Sequence, residues 1–234
     1  MYKNKTFLGL IVARGNSKGV KRKNIRQVLG RPLLAYTAQA AIESKYLDQV
    51  VLSTEDDEIA KIGNDFGVQV PFMRPPKLAQ DDTSSAAVVS HAILELKLLG
   101  QEFDYIFLLQ PTSPLRNSRD IDGCVQFCID NQAASCVSVT AFEKSPTWLY
   151  EKADNGKLSS FFDSKTRDLR RQDSPKLFSL NGAMFLIETK TFLKEEKFIL
   201  KNTLGYEMPI ERSLDIDSEY DLKLFELLMA EKRN

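Results

Sequence analysis

The chain has 234 residues, 43% of them apolar, and 32 Lys+Arg balance 32 Asp+Glu. That length supports one sizeable α/β domain, and zero net charge argues against a dedicated nucleic-acid or membrane-surface binder, which is usually basic overall. No stretch approaches a transmembrane helix, residues 1–6 lack a signal-peptide layout, and Cys124, Cys128 and Cys136 form no CxxC pair, so a cytoplasmic protein with no cysteine-held metal is expected.

The first predicted element is a strand at 8–12, short, apolar and β-branched, which suits burial on both faces of a parallel sheet. A basic loop follows at once, with Gly15 and Gly19 framing Asn16, Ser17 and Lys18, and with Arg14, Lys21, Arg22 and Lys23 around them. Residues 33–45 predict a helix with Leu34, Thr37, Ala38, Ala41 and Ile42 on one face and Pro32 in its first turn. A strand is expected at 49–54. Thr54-x-x-Asp57 matches a capping box opening a second helix, which Gly67 ends, and 68–70 reads as a short strand. This β-α-β-α-β order is the signal of a parallel, right-handed sheet.

Residues 71–82 are proline-rich, helix-free and contain Arg74. Thr83 or Ser84 can cap a helix over 85–99, and 105–109 is a further buried strand running into Gln110-Pro111-Thr112-Ser113-Pro114-Leu115-Arg116. In open α/β sheets such carboxyl-end loops bind ligands. A helix at 118–131 and a strand at 134–142 precede a looser excursion, 143–175. There Asn155-Gly156 between apolar runs predicts a hairpin. The chain then returns to a strand at 177–188 interrupted by Asn181-Gly182, a helical piece at 191–195 and a strand at 204–208. Ser218-x-x-Asp221 predicts a capping box for a last helix with Tyr220, Leu224, Leu227 and Leu228 on its apolar face.

Exposed N–H groups and clustered cations at a strand's carboxyl end suit a polyphosphate, so the basic loop is a candidate triphosphate cradle. The bland alternative is a solvated basic loop. In Asp215-Ile216-Asp217 two carboxylates lie two apart on an extended segment and point to one side, an arrangement that suits Mg²⁺ beside phosphate. Its bland alternative is acidic charge before a helix. The single histidine, His91, reads as a helix residue rather than a base, and no covalent-nucleophile constellation is present.

Four stretches together resemble the acylneuraminate cytidylyltransferases, or CMP-sialic acid synthetases: residues 11–24, residues 108–116, Arg171-Gln172-Asp173 with Asn181-Gly182-Ala183, and Asp215-Ile216-Asp217. The resemblance spans nearly the whole chain. It implies a doubly wound, mostly parallel sheet of the nucleotide-diphospho-sugar transferase type, in a single domain whose 143–175 excursion serves a homodimer and completes the partner's site. It also implies that CTP and a nine-carbon 2-keto sugar acid give the CMP-sugar and pyrophosphate with Mg²⁺, without nucleic acid or membrane partners. By that resemblance Arg14, Gly15, Ser17, Lys18 and Lys23 hold the triphosphate, and Asn24 the ribose. Arg74, Thr83 and Ser85 read cytosine, and Asp215 and Asp217 bind the metal. Gln110, Thr112, Ser113, Trp148, Asn181, Phe185 and the partner's Arg171 form the sugar end. Trp148 and Phe185 depart from the sialic acid pattern, which brings in legionaminic and pseudaminic acids as alternatives. An eight-carbon lipopolysaccharide keto acid or a DxD glycosyltransferase reading stand further off.

Overall fold

The computed structural model describes residues 1–142, 148–161 and 176–231. Its centre is a six-stranded sheet in the order β10-β6-β9-β5-β1-β4, formed by β1 (Phe7–Val12), β4 (Gln49–Ser53), β5 (Tyr105–Leu109), β6 (Ser135–Ala141), β9 (Phe178–Glu188) and β10 (Leu204–Glu207). β1 pairs in parallel with β4 and β5, and β6 with β10. β9 runs antiparallel between β5 and β6. The expected mostly parallel α/β sheet is thus present. A strand that reverses inside it is what periodicity could not announce, because both faces of β9 are covered as for its neighbours.

The two-residue alternation of each strand sorts its side chains between two cores. Phe7, Ile11, Phe107 and Leu109 face one core, which takes the inner sides of α1 (Leu33–Ile42), α2 (Asp57–Asp65) and α4 (Ser118–Asp130). Leu8, Leu10, Ile106 and Leu108 face the other, filled by Val89, Ile93 and Leu96 of α3 (Ser85–Leu98) and by Phe192 of α5 (Thr189–Glu195). A third cluster joins the C-terminal helix α6 (Glu219–Glu231) to the loops, through Val20, Leu33, Tyr36, Ile216, Leu222 and Phe225. No helix among the described residues is long and apolar enough to cross a membrane.

Several local expectations shift. Asp56, not Thr54, caps α2: its side chain accepts the Ile59 N–H at 3.0 Å, while Thr54 Oγ1 accepts the Asp56 N–H. Pro32 is the cap of α1 rather than part of its first turn, and is paired in the small hairpin β2 (Gln27–Val28) and β3 (Arg31–Pro32). Residues 68–70 make only an isolated bridge from Gln69 to Val51, since Val68 and Val70 turn into the first core. Asn181-Gly182 does not interrupt β9; the strand passes through with a register shift opposite Val137–Val139. In α6 the buried residues are Leu222 and Phe225, while Tyr220 and Leu227 are exposed. That helix is apolar around much of its circumference, so the surface it packs on, including α1 through the Phe225–Tyr36 edge contact, selects the face. The predicted hairpin forms as β7 (Tyr150–Lys152) and β8 (Leu158–Ser160), with Gly156 at φ +81.

Candidate active site

Because β1, β4 and β5 are parallel neighbours, their carboxyl ends emerge at one edge of the sheet. The basic loop, the Thr54–Glu58 turn and the Gln110–Arg116 loop therefore come together there. The bulged start of β9 reaches the same edge, where Gln110 N–H donates to the Ala183 carbonyl at 3.4 Å. Arg116, wholly buried, clasps these two loops by donating from Nη1 to the carbonyls of Gln110 (3.3 Å) and Ala183 (2.9 Å). Burial pushes its guanidinium down to about 10, so it stays charged at neutral pH.

Between these loops lies a cleft of about 390 Å³, walled by Arg14, Ser17, Lys18, Lys23, Asn24, Arg74, Thr83, Ser85, Gln110, Thr112 and Asp217. These come from five separate stretches of chain, and all belong to the predicted site. The cleft carries two charged clusters. In one, Arg14 and Lys18 both pair with Asp81, at 2.7 and 2.9 Å, and those cations hold the Asp81 carboxyl below its ordinary range. In the other, Lys23 Nζ donates to the Ile216 carbonyl at 2.7 Å and pairs with Asp217 at 3.1 Å. Asn24 is buried and donates to the Arg14 carbonyl at 3.0 Å, tying the loop's end back to its start.

The 215–217 segment is fastened to this edge by the Ile216 N–H, which donates to the Thr112 carbonyl at 2.8 Å. Gly19 lies flat against it: a Cβ there would fall inside the van der Waals envelope of the Asp217 carbonyl oxygen, so only glycine permits this approach. Asp217 is exposed, whereas Asp215 is tucked behind it, near Gly182 and Gln110. Burial raises the Asp215 carboxyl above its usual value, a Thr112 hydrogen bond opposes that, and the Asp217 charge adds to it. Its Oδ1 is buried with no hydrogen-bond partner among the described residues. An unpartnered buried carboxylate oxygen beside a second carboxylate is a donor set that a hard divalent cation fits. Such a pair would leave most of the ion's positions to water and phosphate oxygens, as hard divalent cations of this kind prefer.

Other predicted site residues stand off the cleft wall. The Gly15 N–H is engaged by Glu55 Oε1 at 2.7 Å. Ser113 is fully buried behind the loop. Asn181 braces the fold, its amide donating to Ser213 at 2.9 Å and its carbonyl oxygen accepting from Ser138 at 2.6 Å. Phe185 packs on Phe198. Trp148 stands just before the hairpin, 75% exposed. Arg171 and the remainder of the 143–175 excursion beyond 148–161 lie outside the described residues.

Residues that sequence reasoning passed over are Asp81, Glu55, Asp56 and Glu58. Arg22, counted among the cradle's cations, pairs instead with Asp56 and Glu58. The available signal was the Glu55-Asp56-Asp57-Glu58 run directly after a strand, which reads equally well as acidic charge at a helix start.

A family model described as Cytidylyltransferase matches residues 8–230. Among curated relatives, a pseudaminic acid cytidylyltransferase of Campylobacter jejuni (strain 81-176) is 33% identical over 221 residues, 94% of this chain and 95% of its own. A CMP-N,N'-diacetyllegionaminic acid synthase of Legionella pneumophila is 30% identical, covering 95% and 96%. An N-acylneuraminate cytidylyltransferase of Escherichia coli O18:K1:H7 is 30% identical over 97% of this chain, which spans 53% of that protein. In fold, a CMP:2-keto-3-deoxy-manno-octonic acid synthetase solved with CTP superposes with a TM-score of 0.72 at 14% identity, over 97% of this chain and 99% of that one. With a doubly wound sheet, a cation-lined cleft at its carboxyl edge and a family match across nearly its whole length, the chain belongs to the cytidylyltransferase family and is a nucleotidyltransferase.

Proposed function

We propose that the protein transfers CMP from CTP to the anomeric hydroxyl of a nine-carbon 2-keto sugar acid, of the sialic, pseudaminic or legionaminic type, releasing pyrophosphate. The observation that carries this reading is one cleft whose wall joins the cations Arg14, Lys18 and Lys23 to Asn24, Arg74, Gln110 and Asp217, with Asp215 tucked behind Asp217. Arg14 and Lys18 neutralise the triphosphate once it displaces Asp81. Lys23 sits between phosphates and the 215–217 segment, Asn24 faces the ribose, and Arg74, Thr83 and Ser85 face the base. Gln110 and Thr112 orient the sugar so that its anomeric oxygen attacks the α-phosphorus in line as pyrophosphate leaves. Positioning and charge neutralisation suffice for this class of transfer, and no covalent nucleophile is required. Asp215 and Asp217 would hold a Mg²⁺ ion, which when bound would add charge neutralisation and lower the pKa of the attacking hydroxyl.

The protein is further proposed to act as a homodimer in the cytoplasm, with the 143–175 excursion reaching the partner's cleft and bringing Arg171 to the sugar carboxylate. Exposed Trp148, Leu158 and Phe161 on and beside the hairpin support a covered surface there. The test is pyrophosphate release from each NTP against a panel of nonulosonic acids and the eight-carbon keto acid, with and without Mg²⁺. Turnover requiring CTP, a nine-carbon acid and Mg²⁺ is expected; no turnover of CTP with any keto acid overturns the reading.

A further inference from the structure

Glu55 has no role in the reaction just described, yet its carboxylate joins the basic loop at Gly15 to Arg74. It lies two residues past the end of β4, with its side chain 16% exposed. Oε1 accepts the Gly15 N–H at 2.7 Å, and Oε2 accepts Nη2 of Arg74 at 2.6 Å. The same Nη2 donates to the Ala13 carbonyl at 3.0 Å, and the Arg74 N–H donates to the Thr54 carbonyl at 2.8 Å. Arg74 is 4% exposed, so its charge needs a counter-ion, and Glu55 is its ion-pair partner among the described residues.

We propose that Glu55 is a positioning residue for nucleotide selection: one carboxylate that orients the Arg74 guanidinium and the first turn of the basic loop relative to each other. This rests on the reading that the cleft takes CTP. The guanidinium is a rigid fork of donors. Fixing one nitrogen between Glu55 and the Ala13 carbonyl fixes the plane in which the others meet a base. Discrimination between bases comes from donors that a wrong base leaves unpaired, which works only if those donors cannot swing away. The bond to Gly15 ties the same carboxylate to the backbone from which Arg14 projects, so the base end and the phosphate end share one anchor.

Glu55→Gln preserves size but turns an NH₂ toward one of two donors, so one contact is lost. The expected result is a rise of about tenfold in KM for CTP and a similar drop in the CTP-over-UTP ratio of kcat/KM, the scale of one misplaced hydrogen-bonding group. The KM for the sugar acid should stay within about twofold, because the sugar end hangs on other loops. Glu55→Asp, which keeps the charge on a shorter arm, recovers part of both effects and serves as the second variant should the first fail to fold. An unchanged CTP/UTP ratio in a folded variant overturns the proposal even if the variant is slower or less stable, since a merely structural anchor lowers both nucleotides alike. Wild-type protein that turns over no CTP would remove the underlying reading too; wild-type turnover with an unchanged ratio in the variants removes this inference alone.

Discussion

At the residue scale, the cleft's charges are matched internally, and each match predicts what ligands must replace. Asp81 bridges Arg14 and Lys18 where a triphosphate would sit. Asp81→Asn removes that competitor, and CTP affinity measured by titration calorimetry at low salt should tighten roughly two- to fivefold, the scale of an exposed ion pair. Weaker binding would instead mean that Asp81 holds the cations in place for the phosphates. Asp217 is exposed, so Asp217→Asn should cost less than about 1 kcal/mol of unfolding free energy. Pyrophosphate release should nonetheless fall to background; full activity would remove the metal role. The contrast with Asp215 is instructive. Its buried, unpartnered oxygen makes it the carboxylate with more to gain from a cation, though both belong to one Asp-x-Asp motif.

At the scale of elements, the β4–α2 turn is the hinge pin of the nucleotide end. Asp56 caps α2 through the Ile59 N–H and pairs with Arg22, which stands in the left-handed region at φ 55. Asp56→Ala should therefore cost about 1 kcal/mol from the cap alone, and release the basic loop from Arg22's tether. Partial burial raises the Asp56 carboxyl's pKa, but Arg22 and the Ile59 N–H outweigh it, so the group ends below its ordinary value. A folded pKa below the unfolded one, near 3.9, means that this stabilisation is complete above about pH 4 and fades as pH falls through the folded value. Urea midpoints followed from pH 7 to pH 3 should fall more steeply below pH 4 for wild type than for Asp56→Asn; parallel curves would show the tie contributes nothing. The same turn supplies Glu55, so α2's start, the loop and Arg74 form one mechanical unit.

For the whole molecule, the sheet is a rigid floor and the site hangs on its edge, so ligand binding couples to global stability. With CTP at a hundredfold excess over Kd, linkage adds about 2.7 kcal/mol, and at about 2–4 °C per kcal/mol for a chain of this size the melting temperature should rise roughly 5–10 °C. GTP at equal concentration should do less, by differential scanning fluorimetry; equal shifts for all four nucleotides would mean the cleft recognises phosphate alone. Zero net charge hides the polarity that matters here. Cations gather on the loop after β1 and acids on the turn after β4 and at 215–217, and folding pairs them, Arg22 with Asp56 and Glu58, and Lys23 with Asp217.

Much of this was legible from residues alone because it rests on local rules. Short uninterrupted apolar runs mark β1 and β5, glycines and cations mark the loop after β1, and Ser218 with Asp221 marks the start of α6, where their reciprocal bonds form as expected. Those rules depend on neighbours a few positions apart, and so do the motifs that carry the family resemblance. Other features were decided by tertiary structure, because they depend on which distant groups meet. The reversal of β9 follows from pairing with β5 and β6, not from its own pattern. The buried face of α6 was chosen by Tyr36 and Val20 rather than by helical period. Arg22 left the phosphate cradle because Asp56 and Glu58 stand within reach, while Asp81 entered it from a loop with no periodic signal. Glu55 acquired its place only when parallel pairing of β1 with β4 set Ser53 beside Val12, bringing that carboxylate to the Gly15 N–H and to Arg74. Charge and periodicity along a chain state what a segment can bury or bind, but the partner it meets is set by long-range packing.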